Sequence, residues 1–115
     1  MLLKKGDKIH VIERKRFPDD ICRHFLGEVF ECEENAVWVF GSTFVFDKAK
    51  NEYIKKPEVR NRVISLVDAN NIINLLPEYA KLEKATYKFT EDNLLLLTDD
   101  ETFALDLCEY GRPGE

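Results

Sequence analysis

The sequence is poor in the residues that mark common chemical sites in proteins. It has only two His and three Cys in 115 residues, and no two Cys form a Cys-x-x-Cys pair. A disulfide framework of the kind found in small secreted domains is therefore not expected. We predict a reducing, cytoplasmic environment in which Cys22, Cys32 and Cys108 are free thiols that pack as small apolar groups.

Long hydrophobic runs and the familiar catalytic motifs are missing as well. The longest apolar runs, such as the four Leu at 94–97, are far too short to cross a bilayer, and residues 1–5 lack the apolar stretch of a secretion signal. We find no Gly-rich phosphate loop, nucleophile elbow or metalloprotease helix motif. The sequence predicts no membrane association and no cofactor.

With only two His, a Ser-His-Asp arrangement has to use His10 or His24. Both lie in predicted strands, where a hydrogen-bonded structural His is more common. Cys22 and His24 point to the same face of a strand, so with Cys32 or Cys108 they could form a mixed metal site. The favoured interpretation is an ordinary buried Cys beside a partly exposed His. We therefore predict no catalytic residue and no metal ligand.

The charge of the chain is acidic overall but uneven. The totals are 17 Lys and Arg against 22 Asp and Glu, with a net charge of −5 and a pI near 5.1. Residues 1–62 hold 13 basic and 11 acidic side chains, whereas residues 63–115 hold 4 and 11. An acidic pI is unusual for a dedicated nucleic-acid binder. The length predicts a single domain over residues 1–115, large enough for a core without disulfides.

Residues that favour β structure dominate the segment 22–47, which contains the only Trp and no Pro. Its one polar break is Glu34-Asn35, and Asn tolerates the positive φ of a two-residue hairpin turn. We predict a long antiparallel hairpin around this turn, and the rest of the chain is interpreted around it.

Counting outward from that turn gives the register of the hairpin. Phe30 is expected opposite Val39, and Gly27 opposite Ser42. A slip of one residue would exchange the two faces of each strand. Gly27 and Gly41 lie inside long strands, where Gly is typical of a bulge, a bend or a close backbone approach.

Shorter strands are predicted on both sides of the hairpin, and one helix. Residues 77–84 begin with Pro, carry an early Glu and end in Lys, which predicts a helix of about two turns. Residues 68–76 allow either a hairpin with an Asn-rich turn or a short helix capped by Asp68, and we favour the strand. The other predicted strands cover residues 8–14, 52–56, 62–67, 86–90, 94–98 and 102–107.

Seven or eight strands with turns about every ten residues predict an all-β fold, either a small antiparallel barrel or a sandwich. We favour a barrel with one short helix near residues 77–84. The pattern of residues 6–47, a Gly6-Asp7 turn, a strand and a long hairpin bent at Gly27, resembles small SH3-like and Sm-like barrels. The resemblance implies that type of barrel, and a meander barrel is the alternative.

The central hairpin strand is apolar on both faces, and such a strand has to be covered on both. The barrel interior covers one face, and the short helix or a second copy of the chain would cover the other. We predict that the chain forms homo-oligomers. The predicted interface residues are Trp38, Phe40 and Phe44.

Hairpin connectivity is expected to bring basic side chains from distant segments to one end of the sheet. The set predicted to bind nucleic acid or another polyanion is Arg14, Lys15, Arg16, Arg23, His24, Lys55 and Arg62. A solvated face paired with Asp19, Asp20 and Glu58 is the favoured competitor. The leading hypothesis is thus a non-enzymatic interaction module that self-associates, polyanion binding is the alternative, and an enzyme of unfamiliar type is left open.

Overall fold

In the computed structural model, the described residues are 2–14, 17, 19, 22–67, 71–92 and 94–107, and they form two antiparallel sheets. The prediction of an all-β fold is confirmed. The five-stranded sheet contains β1 (Lys8–Glu13), β2 (Arg23–Cys32), β3 (Ala36–Asp47), β4 (Glu52–Ser65) and β5 (Asn71–Leu75). The three-stranded sheet contains β6 (Thr86–Phe89), β7 (Leu95–Thr98) and β8 (Ala104–Asp106).

The five-stranded sheet curls around one of its own faces. Its order is β4-β3-β2-β1-β5, so β4 and β5 are the edges, and no pairing between them closes a barrel in the described part of the chain. We call the face that this sheet encloses the inner face. The buried side chains on it come from β1 to β4 and pack into one cluster: Ile9, Val11, Phe25, Val29, Val37, Val39 and Ile64.

The opposite, outer face is covered along only part of its length. There, Leu26 and Phe44 pack against Leu95 and Leu97 of the three-stranded sheet, in a second core cluster. The residues that follow β5 also contribute to this cluster. Burial of apolar surface in both clusters is the main stabilising contribution expected for a domain of this size.

The long hairpin of β2 and β3 is confirmed, but its register changes along its length. Next to the turn, Glu31 pairs with Trp38, as counting from Glu34-Asn35 predicts. A β-bulge at Phe30 then shifts the pairing by one residue, so that Val29, and not Phe30, lies opposite Val39. The predicted register is wrong beyond this point, because turn geometry does not reveal an extra residue farther along the strand.

The two Gly in the middle of the hairpin pair directly with each other. The expected partner of Gly27 was Ser42, whereas the bulge places Gly41 opposite it. A Cβ on Gly27 would lie 2.5 Å from the Phe40 carbonyl oxygen, far inside van der Waals contact. The prediction of a close backbone approach is therefore confirmed.

β4 is one long strand where the sequence predicted two short ones. It runs through Pro57, which lies opposite a second irregularity, between Ser42 and Phe44 of β3. A residue without an N–H group is tolerated at a bulge on an edge strand, because no ladder hydrogen bond is lost. Pro57 therefore does not end the strand as predicted.

The segment after β5 contains much less helix than predicted. In place of a helix over residues 77–84, a turn at Pro77 is followed by a single 3-10 helix, Leu82–Lys84. No helix in the described residues is long and apolar enough to cross a membrane. A strand after the Asn-rich segment is confirmed by β5, but β5 pairs with β1 and not with β4, so the predicted hairpin is wrong. Residues 68–70 lie outside the described residues.

Asp99 holds this segment against the three-stranded sheet. Its buried carboxylate accepts hydrogen bonds from the backbone N–H groups of Lys81 at 3.0 Å, Glu101 at 2.9 Å and Thr102 at 2.7 Å, and from the Thr102 hydroxyl. The contact with Lys81 explains why the helix does not extend: the backbone donor at its start is bound by a residue of the β7–β8 turn.

Candidate functional sites: an exposed aromatic strip and a buried polar cluster

The outer face of the five-stranded sheet carries a row of large apolar side chains that nothing in the described structure covers. We call it the aromatic strip. Its members are all well exposed, with 50% of Phe40 and 75% of Val63 accessible to solvent. The strip consists of Phe30, Trp38, Phe40, Val59 and Val63.

Strand alternation and the two irregularities place these side chains together. Val37 and Val39 point to the inner face and are buried, so Trp38 and Phe40 point outward. Val63 pairs with Trp38 across β3 and β4. The bulge turns Phe30 to the same side, where its ring lies 4.5 Å from that of Trp38.

Polar groups of both signs border the strip. Asn61 accepts a hydrogen bond from Trp38 Nε1 at 3.1 Å, and the Lys5 ammonium lies 5.6 Å from the centre of the Phe30 ring. A shallow pocket of about 460 Å³ lies between Lys5 and Glu28, with Phe30 in its wall. The strip is therefore an apolar surface with one cation and one carboxylate at its side.

The structure separates the three predicted interface residues. Trp38 and Phe40 are exposed in the strip. Phe44 is only 4% exposed, and its ring packs 5.0 Å from that of Tyr87 in the three-stranded sheet. Phe44 therefore does not contribute to an external surface, because the second sheet covers its part of the outer face.

The basic residues predicted to share one surface are divided. Arg23 and Arg62 both approach Glu13, at 4.0 Å and 3.2 Å, while the Arg62 guanidinium also lies 5.3 Å from the Phe25 ring. Lys55 lies with Phe40 and Phe44 in a groove on the outer face. Arg14 is exposed, and Lys15 and Arg16 lie outside the described residues. The described members of the predicted set do not form one continuous cluster.

His24 does not belong to a basic surface. Its side chain is only 3% exposed, and burial lowers its pKa to about 4. It is therefore neutral at neutral pH and attracts no phosphate by charge. Its burial does not favour its place in the predicted anion-binding set. The expectation of a partly exposed His is wrong, because the three-stranded sheet covers this part of β2.

His24 belongs instead to a buried group of polar side chains, which we call the polar cluster. At its centre, His10 Nε2 lies 3.2 Å from His24 Nδ1, and the Tyr87 hydroxyl lies 2.9 Å from both atoms. His10 and His24 come from β1 and β2, whereas Tyr87 comes from β6. The cluster therefore links the two sheets.

Further polar groups contact the far nitrogens of the two imidazoles. The Asn74 amide lies 3.4 Å from His10 Nδ1. On the other side, Tyr53 Oη and Cys22 Sγ lie 3.5 Å and 3.8 Å from His24 Nε2, and 3.3 Å from each other. Among the described side chains, no buried polar atom lacks a hydrogen-bond partner.

Burial shifts the titration of the cluster toward neutral forms. It lowers the pKa of His10 to about 3, with a smaller effect from His24. It raises the pKa of Tyr87 well above its ordinary value, followed by the effects of Tyr53 and Cys22. Burial likewise raises the pKa of Tyr53, with a hydrogen bond to Cys22 adding to the effect. At neutral pH the cluster thus contains two neutral imidazoles and two phenols.

This arrangement does not favour nucleophilic catalysis by Cys22. A general base works best with a pKa near the working pH, and the lowered pKa of His24 makes it a weak base. Among the residues that the structure describes, no group of three or more His, Cys, Asp or Glu is placed to hold a metal ion.

Sequence reasoning identified both His but missed their partners. Tyr53, Asn74 and Tyr87 lie on three different strands, at separations of 29 to 77 residues from the His they contact. No local spacing connects them. The available signal was that two His in β-rich segments need buried polar partners.

Comparisons with protein families, with curated proteins and with solved structures found no match for this chain.

Proposed function

We propose that this protein is a non-enzymatic interaction module that self-associates, with the aromatic strip as the contact between two copies. The observation that carries the proposal is the exposure of Trp38 and Phe40 beside Phe30 on one sheet face. Contiguous exposed apolar patches are rare on monomers and are typical of interaction surfaces. Trp and Phe are enriched in the cores of such interfaces.

The charges beside the strip favour a second copy of this chain as the partner. In a two-fold contact both copies use the same surface. A residue of one copy therefore lies against residues of that same surface on the other copy. Lys5 and Glu28 both line the pocket next to Phe30, which allows the cation of one copy to approach the carboxylate of the other. A surface carrying both signs in this way is self-complementary.

We also infer that the five-stranded sheet is an SH3-like or Sm-like barrel that is open between β4 and β5. The strand order and the enclosed inner cluster support this inference, since all seven buried members of that cluster come from one sheet. The free thiols of Cys22 and Cys32 support a reducing, cytoplasmic location.

Polyanion binding is the weaker proposal. Arg23 and Arg62 share Glu13, which offsets part of their positive charge, and Lys55 lies on the other face of the sheet. His24 contributes no charge. Arg14 is exposed, and Lys15 and Arg16 lie outside the described residues.

The test is the solution mass of tag-free protein over a range of concentrations, measured by sedimentation equilibrium. We expect a reversible dimer, and a shift of Trp38 fluorescence to shorter wavelength as the dimer forms. Phe40→Glu should abolish both changes by placing a carboxylate in the strip. The matched control is Tyr79→Ala, which truncates an exposed aromatic residue outside the strip. A protein that stays monomeric at millimolar concentration, or a Phe40→Glu variant that still dimerises, contradicts the proposal.

A further inference from the structure

Three donor atoms from three strands converge at the centre of the polar cluster. His10 Nε2, His24 Nδ1 and Tyr87 Oη form a triangle with edges of 3.2, 2.9 and 2.9 Å. His10 and His24 are almost completely buried. These atoms are of the kinds that bind first-row metal ions in proteins: imidazole nitrogens and an anionic oxygen.

Every atom of this triangle has a hydrogen-bond partner, but the two ring nitrogens have to share theirs. A ring nitrogen of neutral imidazole either donates a proton or accepts one, so one of the two nitrogens must be the donor and the other the acceptor. The Tyr87 hydroxyl then makes a second contact with each of these two nitrogens. As a result, the lone pair of the acceptor nitrogen faces two donors, and the N–H group of the donor nitrogen faces two acceptors.

A single metal ion would use all three lone pairs at once. Zinc binds imidazole nitrogen and anionic oxygen at about 2.0–2.2 Å, which for ligand angles of about 90–110° places the donor atoms about 2.8–3.6 Å apart. All three observed edges fall in that range. The triangle therefore has the dimensions of one face of a four- to six-coordinate site.

We propose that His10, His24 and Tyr87 form a binding site for a first-row divalent transition metal ion, with Zn²⁺ as the ion that best fits the ligands. Both imidazoles bind in their neutral form through the atoms named above. The Tyr87 hydroxyl loses its proton to solvent on binding, and its phenolate oxygen becomes the third ligand. Cys22 is not a ligand, because its sulfur faces the opposite nitrogen of His24.

The surrounding contacts agree with this assignment. An imidazole that binds a metal through one nitrogen carries its proton on the other, and that N–H group usually donates to a nearby polar group. The Asn74 amide is positioned to accept from His10 once its oxygen faces the ring. Tyr53 and Cys22 are positioned to accept from His24. Each far nitrogen thus has an acceptor of its own.

The ligand set fixes the charge that the proposed site would contribute. Two neutral imidazoles contribute none, so the Tyr87 phenolate is the one anion among the three ligands. One phenolate then gives the bound divalent ion a residual charge of about +1, which leaves a position for water or another anion. The site lies between the two sheets, away from the aromatic strip, so its test does not depend on self-association.

The experiment uses tag-free protein that has been stripped with a chelator and then titrated with Co²⁺, a coloured substitute for Zn²⁺. We expect one equivalent to bind, with visible absorption bands that Zn²⁺ competes away. Tyr87→Phe keeps the ring but removes the ligand oxygen and should weaken Co²⁺ binding at least about tenfold. The matched control is Tyr79→Phe, which removes the hydroxyl of an exposed Tyr outside the cluster, and we expect binding within about threefold of the parent.

A second measurement on the unaltered protein makes the test independent of how well the variants fold. Two-bond ¹H–¹⁵N spectra report both ring nitrogens of each His, and Zn²⁺ should shift His10 Nε2 and His24 Nδ1 at one equivalent. The proposal is overturned if the parent shows no saturable Co²⁺ binding, or if these two nitrogens do not respond. It is also overturned if Tyr87→Phe binds Co²⁺ as tightly as the Tyr79→Phe control.

Discussion

Gly41 lies directly opposite Gly27, and the two strands are so close there that a Cβ on Gly41 would be 2.1 Å from the Leu26 carbonyl oxygen. The atom that such a group would meet belongs to the backbone, so no side-chain rotation can relieve the overlap. The close approach of β2 and β3 therefore depends on having Gly at both positions of this pair. The curl of the sheet around the inner core cluster depends in turn on that close approach.

Gly41→Ala is accordingly expected to destabilise the protein by about 3 kcal/mol, at the upper end of the range for forcing extra atoms into a packed region. Urea unfolding followed by circular dichroism measures this change. Ser42→Ala, at the next residue, is the control and should cost less than about 1 kcal/mol. A Gly41→Ala variant with the midpoint of the parent would contradict the close approach.

Two Phe of the same hairpin should respond very differently to truncation. Phe25→Ala removes a buried ring from the inner cluster and is expected to cost about 3–5 kcal/mol. Phe40 is half exposed, so Phe40→Ala should cost less than about 1 kcal/mol in the monomer. Urea unfolding at low protein concentration tests both, because dilution removes any contribution from self-association.

Asp99 should contribute stability in a pH-dependent way. Burial alone would raise its pKa, but the hydrogen bonds from Thr102, Glu101 and Lys81 outweigh that effect and lower it. A lowered pKa means that the unfolded state binds the proton more readily. The stabilisation is therefore complete above the ordinary Asp pKa of about 3.9 and is lost as the pH falls below it.

We expect Asp99→Asn to lower the urea midpoint at pH 7, with a difference from the parent that shrinks as the pH falls from about 4 to 2. Asp100→Asn is the control, since Asp100 is exposed and its carboxylate forms an ion pair with Lys88 at the surface. A difference between Asp99→Asn and the parent that grows on acidification would contradict this account.

Polyanion binding is expected to be weak. At 150 mM salt, a labelled single-stranded RNA should show no saturable binding below about 100 μM protein, which is the weak end of non-specific binding. Fluorescence anisotropy measures it. Glu13→Gln removes the carboxylate that Arg23 and Arg62 share, and tightening by that variant would identify these two Arg as the binding residues.

Strands could be predicted from the sequence where β-favouring residues lie between clear turn signals. The irregularities that bend those strands could not be predicted. The β2–β3 hairpin follows from its β-branched and aromatic residues and from the turn at Glu34-Asn35. The bulge at Phe30 has no sequence signal, because an extra aromatic residue fits either face of an apolar strand. The sequence also did not reveal that Phe44 is buried while Phe40 on the same strand is exposed. This difference depends on where the second sheet ends.

The polar cluster shows the same limit for a site. His10 and His24 were singled out by residue type, with a hydrogen-bonded structural role as the more common interpretation, but Tyr87 reaches them only through the docking of β6 on the first sheet. Contacts across more than sixty residues depend on the packing of whole sheets, and one sequence contains no local pattern that reveals them. The helix at 77–84 was overpredicted for a related reason, because Asp99 binds its first backbone donor.

The bulge at Phe30 has a consequence for how this surface can change over evolution. Val29 pairs with Val39 and Glu31 pairs with Trp38, so Phe30 is the one residue of β2 without a place in the ladder. Loss of that single codon would leave a regular hairpin in which every other pair is unchanged. One in-frame deletion would thus give a chain with the same strand pairing and a smaller apolar surface, and the reverse insertion would create the larger surface in a single step.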